Sequence, residues 1–329
     1  MTAETPGTPV LAATHILQQF DVNDTAGRKI RVNAVSGVSL QIRAGETLAL
    51  VGETGSGKST LARALLQAPR PTSGSVVFRG VELTRLVGRE LVSHRRHMQM
   101  VFQDPFGSLD PTWAVSSIVE EPLIGYASLG RVERRRRVGE LLEKVGLSPA
   151  IHGRRRPREL SGGQCQRVAI ARALALDPAL IICDEALSSL DTLVQAQVST
   201  LFEQLRAELG LAYLFVAHDL ALVRHVSDRI AVMHAGQLCE VGPTDLVYRQ
   251  PLHPHTAALL ESIPRPDTRR TRRPRTANQL VAEPSSLQSP GCRFRARCPR
   301  AQERCAVENP ALRAVHGEQQ VACHFPLPY

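Results

Sequence analysis

Two rhythms of apolar and polar residues alternate along the first 240 or so positions. Short continuous apolar runs at Thr47–Val51, Met98–Phe102, Leu180–Cys183 and Leu211–Ala217 predict buried strands. A sheet covered on both faces needs apolar side chains on both sides of each strand. Between these runs, Ser59–Leu66 and Gln164–Leu176 follow a helical rhythm. Strands alternating with helices predict an α/β domain with a largely parallel sheet. Val38–Ile42 and Gly74–Phe78 are shorter, lie between turn residues, and predict an accessory antiparallel sheet. Residues 105–160 carry few strand signals and predict a mostly helical stretch, extending to about 176, with an exposed basic face at Arg131–Arg137. No internal repeat is present, so the chain holds one such domain.

The pattern breaks near residue 263. From Pro264 to Pro290 the 27 residues include five Pro and six Arg, a composition for an extended linker without its own core. The expected organisation is therefore a domain over 1–262, a linker over 263–290 and a small module over 291–329. The module is too short to build a self-sufficient hydrophobic core, so its size predicts a staple.

Charge follows the same division. The chain has 329 residues with 40 Lys+Arg against 31 Asp+Glu, a formal net charge of +9. Residues 1–262 hold 28 basic and 26 acidic side chains, whereas 263–329 hold 12 and 5, so +7 of the +9 belongs to the tail. A near-neutral body argues against a nucleic-acid footprint, and no nucleic-acid partner is expected. No apolar run approaches the ~18 residues of a membrane span. The N-terminal MTAETPGTPVLAATHIL lacks a basic start followed by an apolar stretch, which predicts a cytoplasmic chain. Cys165, Cys183 and Cys239 are scattered, but Cys292, Cys298, Cys305 and Cys323 fall within 32 residues. Without an export signal, such clustering suggests a metal or redox site before disulfides.

Candidate chemistry begins at Gly52-Glu53-Thr54-Gly55-Ser56-Gly57-Lys58-Ser59-Thr60. It fits G-x-x-x-x-G-K-[ST], after a predicted strand and opening a predicted helix, the context that distinguishes a phosphate-binding loop from a chance glycine-rich turn. Backbone N–H groups and the helix N-terminus suit phosphate oxygens. Lys58 is expected to reach the β- and γ-phosphates of ATP, and the Ser59 hydroxyl to ligate Mg²⁺. The apolar run Leu180–Cys183 ends in Asp184 and Glu185. This places one acid to hold Mg²⁺ and a second to orient or deprotonate water.

Leu160-Ser161-Gly162-Gly163-Gln164 resembles the signature sequence of the ABC (ATP-binding cassette) ATPases. The other features fall in that family's order. Gln103 resembles the Q-loop glutamine, Ser188-Ser189-Leu190-Asp191 the D-loop, and His218 the H-loop histidine. The resemblance implies a P-loop fold with a RecA-like core, an antiparallel β subdomain and a helical subdomain. It also implies head-to-tail pairing of two such domains, with Ser161, Gly162, Gly163 and Gln164 serving the ATP held by the partner. Asp191 would lie near the same nucleotide. His218 would contact the γ-phosphate and hold the attacking water, while Gln103 would touch Mg²⁺ or water and report to a membrane partner. Phe20, in HILQQF, is the best-placed ring to stack on adenine, although it also suits the core of an edge strand.

Beyond His218, Gly236–Gly242 and Gln250-Pro251-Leu252-His253-Pro254-His255-Thr256 resemble the oligopeptide/dipeptide importer ATPases, whose members typically carry Tyr where His255 stands. The cysteine tail resembles their C-terminal extension. A peptide importer implies a second, related ATPase subunit, two permeases and an exported binding protein, with this chain peripheral on the cytoplasmic face of the bacterial inner membrane. Import of nickel or opines, an exporter, and a soluble nucleic-acid-associated ATPase are the alternatives. The C-x5-C-x6-C-x17-C spacing lacks the tight pairs of zinc ribbons. The resemblance favours a [4Fe–4S] cluster on the four cysteines, with zinc as the alternative and unligated thiols or disulfides behind both. Arg293, Arg295, Arg297, Arg300 and Arg304 are then expected to neutralise thiolates, or to meet anionic lipid and permease loops. Cys165 reads either as a reactive thiol or as a small buried helix residue.

Overall fold

Two strands of 15 residues each open the chain, β1 (Pro9–Asn23) and β2 (Lys29–Arg43). The computed structural model describes residues 9–23, 27–188, 190–263 and 290–328. Residues 264–289 of the expected linker lie outside these, as does Ser189. The chain continues through β3 (Thr47–Val51), α1 (Lys58–Leu65), β4 (Ser73–Phe78), β5 (Val81–Glu82), α2 (Gly88–Arg95) and β6 (Met98–Val101). Four helices follow, α3 (Val115–Tyr126), α4 (Arg131–Lys144), α5 (Pro149–His152) and α6 (Gly162–Leu174). Then come β7 (Leu180–Asp184), α7 (Thr192–Leu209), β8 (Ala212–Ala217), α8 (Leu220–Val226), β9 (Arg229–His234), β10 (Gln237–Pro243), α9 (Thr244–Arg249) and α10 (Pro254–Glu261). The tail adds α11 (Glu303–Val307), β11 (Arg313–His316) and β12 (Gln319–Val321). β1, β2, β4 and β5 form a four-stranded sheet in the order β2-β1-β4-β5.

The residues cluster into two units. The first contains 41–47 and 76–216 together with the chain start. Here β6, β7 and β8 run parallel, with Met98 opposite Leu180 and Leu180 opposite Ala212. Every residue of β7 is buried, as its unbroken apolar run requires. Phe202 of α7 packs edge-on to Tyr213 and Phe215 of β8, with ring centroids 5.4 and 5.1 Å away. The stretch expected to be helical carries α3, α4 and α5. The basic face of α4 is partly paired: Arg134 donates to Glu120 at 2.9 Å, and Arg137 pairs with Asp177.

The second unit contains 13–40, 48–75 and 217–329. In it β3 lies parallel to β9, and β9 pairs antiparallel with β10. Ala49, Val51, Leu220, Val223, Ile230, Val232 and Val247 form a buried core. The C-terminal module is built onto this sheet. β12 pairs antiparallel with β10, Glu240 opposite Val321, and β11 pairs with β12. Val321 and Cys323 pack with Leu252 in a small buried cluster. Size alone therefore does not require a staple: the module shares the apolar core and sheet hydrogen bonds of its neighbour, and a metal-stapled body is not shown.

Candidate functional site

The glycine-rich loop grows from β3, buried along its whole length. Gly57 caps α1 at φ 99° and ψ 5°, a left-handed conformation that suits glycine. A Cβ on Gly52 would meet the Met233 carbonyl oxygen at 2.1 Å, so the loop lies directly against β9. Lys58 is 4% exposed, and its Nζ donates to the carbonyl oxygens of Gly52 and Glu53, both at 2.9 Å. The lysine is thereby aimed along the loop rather than into solvent. Ser56 is buried, Thr54, Lys58 and the half-buried Ser59 and Thr60 continue the run into α1, and Gly55 borders open space.

The first unit positions the acids. Asp184 ends β7 and is 6% exposed. Glu185 takes a left-handed φ of 51°, uncommon for a non-glycine residue. Its N–H donates to the Val216 carbonyl at 2.9 Å, which fixes this conformation where β8 ends. Ser188 Oγ donates back to the Glu185 carbonyl at 2.8 Å.

Ser161 and Gln164 form a capping box at the start of α6. Ser161 Oγ accepts from the Gln164 N–H at 3.3 Å, and Gln164 Oε1 accepts from the Ser161 N–H at 3.0 Å. Gly162 is half-buried, and Gly163 is buried against Val194 of α7. Asp191 caps α7, its Oδ1 accepting from the Val194 N–H at 3.0 Å. Signature and D-loop thus meet at two adjacent helix starts. Gln103 is exposed just after β6. Cys165 is fully buried, its thiol donating to the Pro157 carbonyl, and burial pushes its pKa up to about 11, the behaviour of an inert helix residue.

His218 and Phe20 belong to the second unit. His218 is exposed between β8 and the Asp219 cap of α8, and Phe20 is 39% exposed near the end of β1.

Several residues here had no motif to announce them. Arg297 donates from both terminal nitrogens to Glu53, at 2.8 and 2.7 Å. Arg293 donates to the Ala235 carbonyl and, at 2.9 Å, to Ser36 Oγ. Arg304 pairs with Glu308 at 2.7 Å. Of the five arginines between the cysteines, Arg293, Arg297 and Arg304 thus bond protein oxygens, while Arg300 lies within electrostatic reach of Cys298 and Arg304 of Cys305. Glu53 sat inside the loop motif as a variable position. Its acid was visible, but not its distant partner.

The four tail cysteines are free. Cys323 lies within electrostatic reach of Cys292, Cys298 and Cys305, and also of Cys239, which had appeared scattered. Burial is the main cause that raises the pKa values of Cys292, Cys298 and Cys323. Among the described residues, no three His, Cys, Asp or Glu side chains are arranged to hold a metal ion.

A buried strand running into a glycine-rich loop that holds a lysine, in a chain whose other unit has a buried strand ending in Asp-Glu, defines a P-loop nucleoside triphosphatase. The capping-box signature narrows the class, and comparison with known proteins settles it: the chain belongs to the ATP-binding subunits of the ABC transporters. The ABC transporter family model matches residues 35–188, and the model for the oligopeptide/dipeptide transporter C-terminal region matches 239–305. The oligopeptide transport ATP-binding protein OppF of Escherichia coli is 48% identical over 85% of this chain and 84% of its own. The di/tripeptide transport ATP-binding protein DppF of Pseudomonas aeruginosa is 44% identical over 96% and 97%. Among solved structures, the dimeric ATP-binding cassette MJ0796, bound to ADP and Pi, superposes with a TM-score of 0.63 at 30% identity, over 71% of this chain and 98% of that one. None of the helices among the described residues is long and apolar enough to cross a membrane.

Proposed function

We propose that this chain is the ATP-hydrolysing subunit of an importer for di- or oligopeptides, docked on the cytoplasmic face of the membrane. The observation that carries the reading is the match of residues 239–305 to the oligopeptide/dipeptide transporter C-terminal region, on a chain whose residues 35–188 match the ABC transporter family. ATP hydrolysis here is in-line transfer of a phosphoryl group to water, where positioning and charge neutralisation dominate.

Each residue takes one role. Lys58 and the N–H groups of Gly52–Thr60 bind phosphate. Ser59 and Asp184 offer Mg²⁺ the oxygen donors it favours, with Gln103 as a further ligand. Glu185 orients and deprotonates water, His218 holds the γ-phosphate, and Phe20 stacks on adenine. Ser161, Gly162, Gly163, Gln164 and Asp191 serve the nucleotide of a second ATPase subunit, supported by the dimeric state of the similar cassette. Two permeases and an exported binding protein complete the importer.

The test is ATPase activity and peptide uptake by the chain assembled with candidate permeases. Glu185→Gln is expected to abolish hydrolysis while ATP still binds. Undiminished hydrolysis overturns the assignment of the base, and uptake of another solute in place of peptides overturns the substrate.

The same reading takes Cys292, Cys298, Cys305 and Cys323 as ligands of an iron–sulfur cluster, supported by the shared neighbourhood of the four thiols. Their thiolates would have to close on one centre. Iron and sulfide in stoichiometric amounts in anaerobically purified protein, with a broad visible absorption band, are expected. Stoichiometric zinc points to zinc, and neither metal overturns the site.

A further inference from the structure

The C-terminal module reaches the phosphate-binding loop at two points. At the first, the Arg297 guanidinium grips the Glu53 carboxylate with two charge-assisted hydrogen bonds of 2.8 and 2.7 Å. Glu53 is the residue after Gly52, and its own carbonyl oxygen accepts from Lys58 Nζ. At the second, Arg293 holds the Ala235–Gly236 turn between β9 and β10 through the Ala235 carbonyl. That turn supports the loop in its own right, because the Gly236 N–H donates to the Ser56 carbonyl at 2.9 Å. Both arginines stand on one short segment. Phe294, between them, is 4% exposed and packs among His234, His253 and His255. The Arg297 guanidinium lies 5.7 Å from the Phe294 ring centroid. The arginines are therefore carried on an anchored platform and not on a free tail.

The chemistry of the loop gives this contact a consequence. A loop that receives a triphosphate gains from backbone N–H groups and a lysine, and loses from a carboxylate. Glu53 is such a carboxylate, and the guanidinium neutralises it in a planar two-bond pairing that Lys could not reproduce in full.

We propose that Arg297 is a positioning residue for ATP: held by the C-terminal module, it neutralises Glu53 and braces the phosphate-binding loop, so that the tail sets the loop's affinity for the nucleotide. The inference rests on the reading of this chain as an ATPase. It assigns the module a role at the nucleotide end of the protein. Simple attachment of the tail would make the same hydrogen bonds but would leave nucleotide affinity alone.

The experiment measures MgATP binding to the full-length chain by calorimetry, and kcat and KM for ATP in the assembled transporter. Arg297→Ala leaves the Glu53 carboxylate without its guanidinium, with only the His234 ring at 3.9 Å and the Lys58 charge near it, and Kd and KM are expected to rise about threefold to fivefold with kcat little changed. Arg297→Lys recovers part of the loss. Adding Glu53→Gln to Arg297→Ala removes the orphaned charge and returns Kd towards that of the parent, and the difference between Arg297→Ala and the parent shrinks at high salt. If Arg297→Ala lowers the melting temperature but leaves Kd and KM unchanged, or if Glu53→Gln gives no rescue, the proposal is overturned and the contact is attachment only. A parent chain that binds no MgATP overturns the ATPase reading itself, a result separate from these.

Discussion

Acidification is expected to destabilise the second unit through three buried histidines. His234, His253 and His255 are 5, 2 and 0% exposed, and their rings surround Phe294 at centroid distances of 5.3, 5.7 and 5.0 Å. Burial disfavours the imidazolium and pushes their pKa values down to about 4, 3 and 2. Among the described residues neither ring nitrogen of His255 has a hydrogen-bond partner, so a second ring proton would have no acceptor. In the unfolded chain each imidazole titrates near 6.5, at about the value of a free histidine. Between these limits only the unfolded state takes up protons. The stability is therefore present above about pH 6.5 and is lost as pH falls below that value. All three folded values lie below 5, so the loss between about pH 7 and pH 5 follows from the unfolded value alone, at about 2 kcal/mol per histidine. Glu240 opposes this, because burial raises its pKa and its folded form takes up a proton more readily than the unfolded one. A paired comparison cancels that opposition. His255→Tyr restores the ring typical of the oligopeptide/dipeptide importer ATPases and removes one titrating site. Urea unfolding followed by circular dichroism at the two pH values should show a pH-dependent loss smaller by about 2 kcal/mol in the variant than in the parent. Identical pH dependence in the two proteins would refute the reasoning.

Two further outcomes follow from buried groups. Glu240 accepts from the Leu252 and His253 N–H groups at 2.8 and 2.9 Å and from Gln319 Nε2 at 2.7 Å. Glu240→Ala strands the two backbone N–H groups and leaves Gln319 Nε2 only the Gln250 carbonyl, and should cost at least about 2 kcal/mol in urea unfolding, whereas a loss below about 1 kcal/mol would mean that water replaces the carboxylate. Cys165, fully buried with its pKa raised to about 11, should resist iodoacetamide in the folded protein at neutral pH, as read by mass spectrometry of the tryptic peptide. Rapid alkylation would restore it as a reactive thiol.

What could be read from the sequence was local. Leu48–Val51 and Leu180–Cys183 are unbroken apolar runs, and the strands built on them, Thr47–Val51 and Leu180–Asp184, are buried end to end. The nucleotide motifs are equally compact. Ser161 and Gln164 satisfy one another three residues apart, and Lys58 folds back on carbonyls five and six residues away. β1 was legible only at its HILQQF end. Its fifteen residues mix buried and exposed positions without strict alternation, and His15 interrupts the strand with a φ of 50°. Such a strand leaves little periodic signal.

The attachment of the tail was hidden for a different reason: it inverts the hydrophobic pattern. Gln319 and Glu240 are both fully buried. Each is a polar residue inside a short strand, and taken singly each marks its strand as solvent-facing. They are buried because they answer one another across 79 residues, Gln319 donating to a carboxylate that two backbone N–H groups already hold. The same holds for Arg297 and Glu53, 244 residues apart. A residue-by-residue rule places an arginine among cysteines near thiolates and treats an acid in a glycine-rich loop as a variable position. Only the fold brings the two together. The excess positive charge of the tail is thus not one diffuse field. At Arg293 and Arg297 it is directed at the phosphate-binding loop and its supporting turn, where a cation has the most to do in a protein that binds a triphosphate.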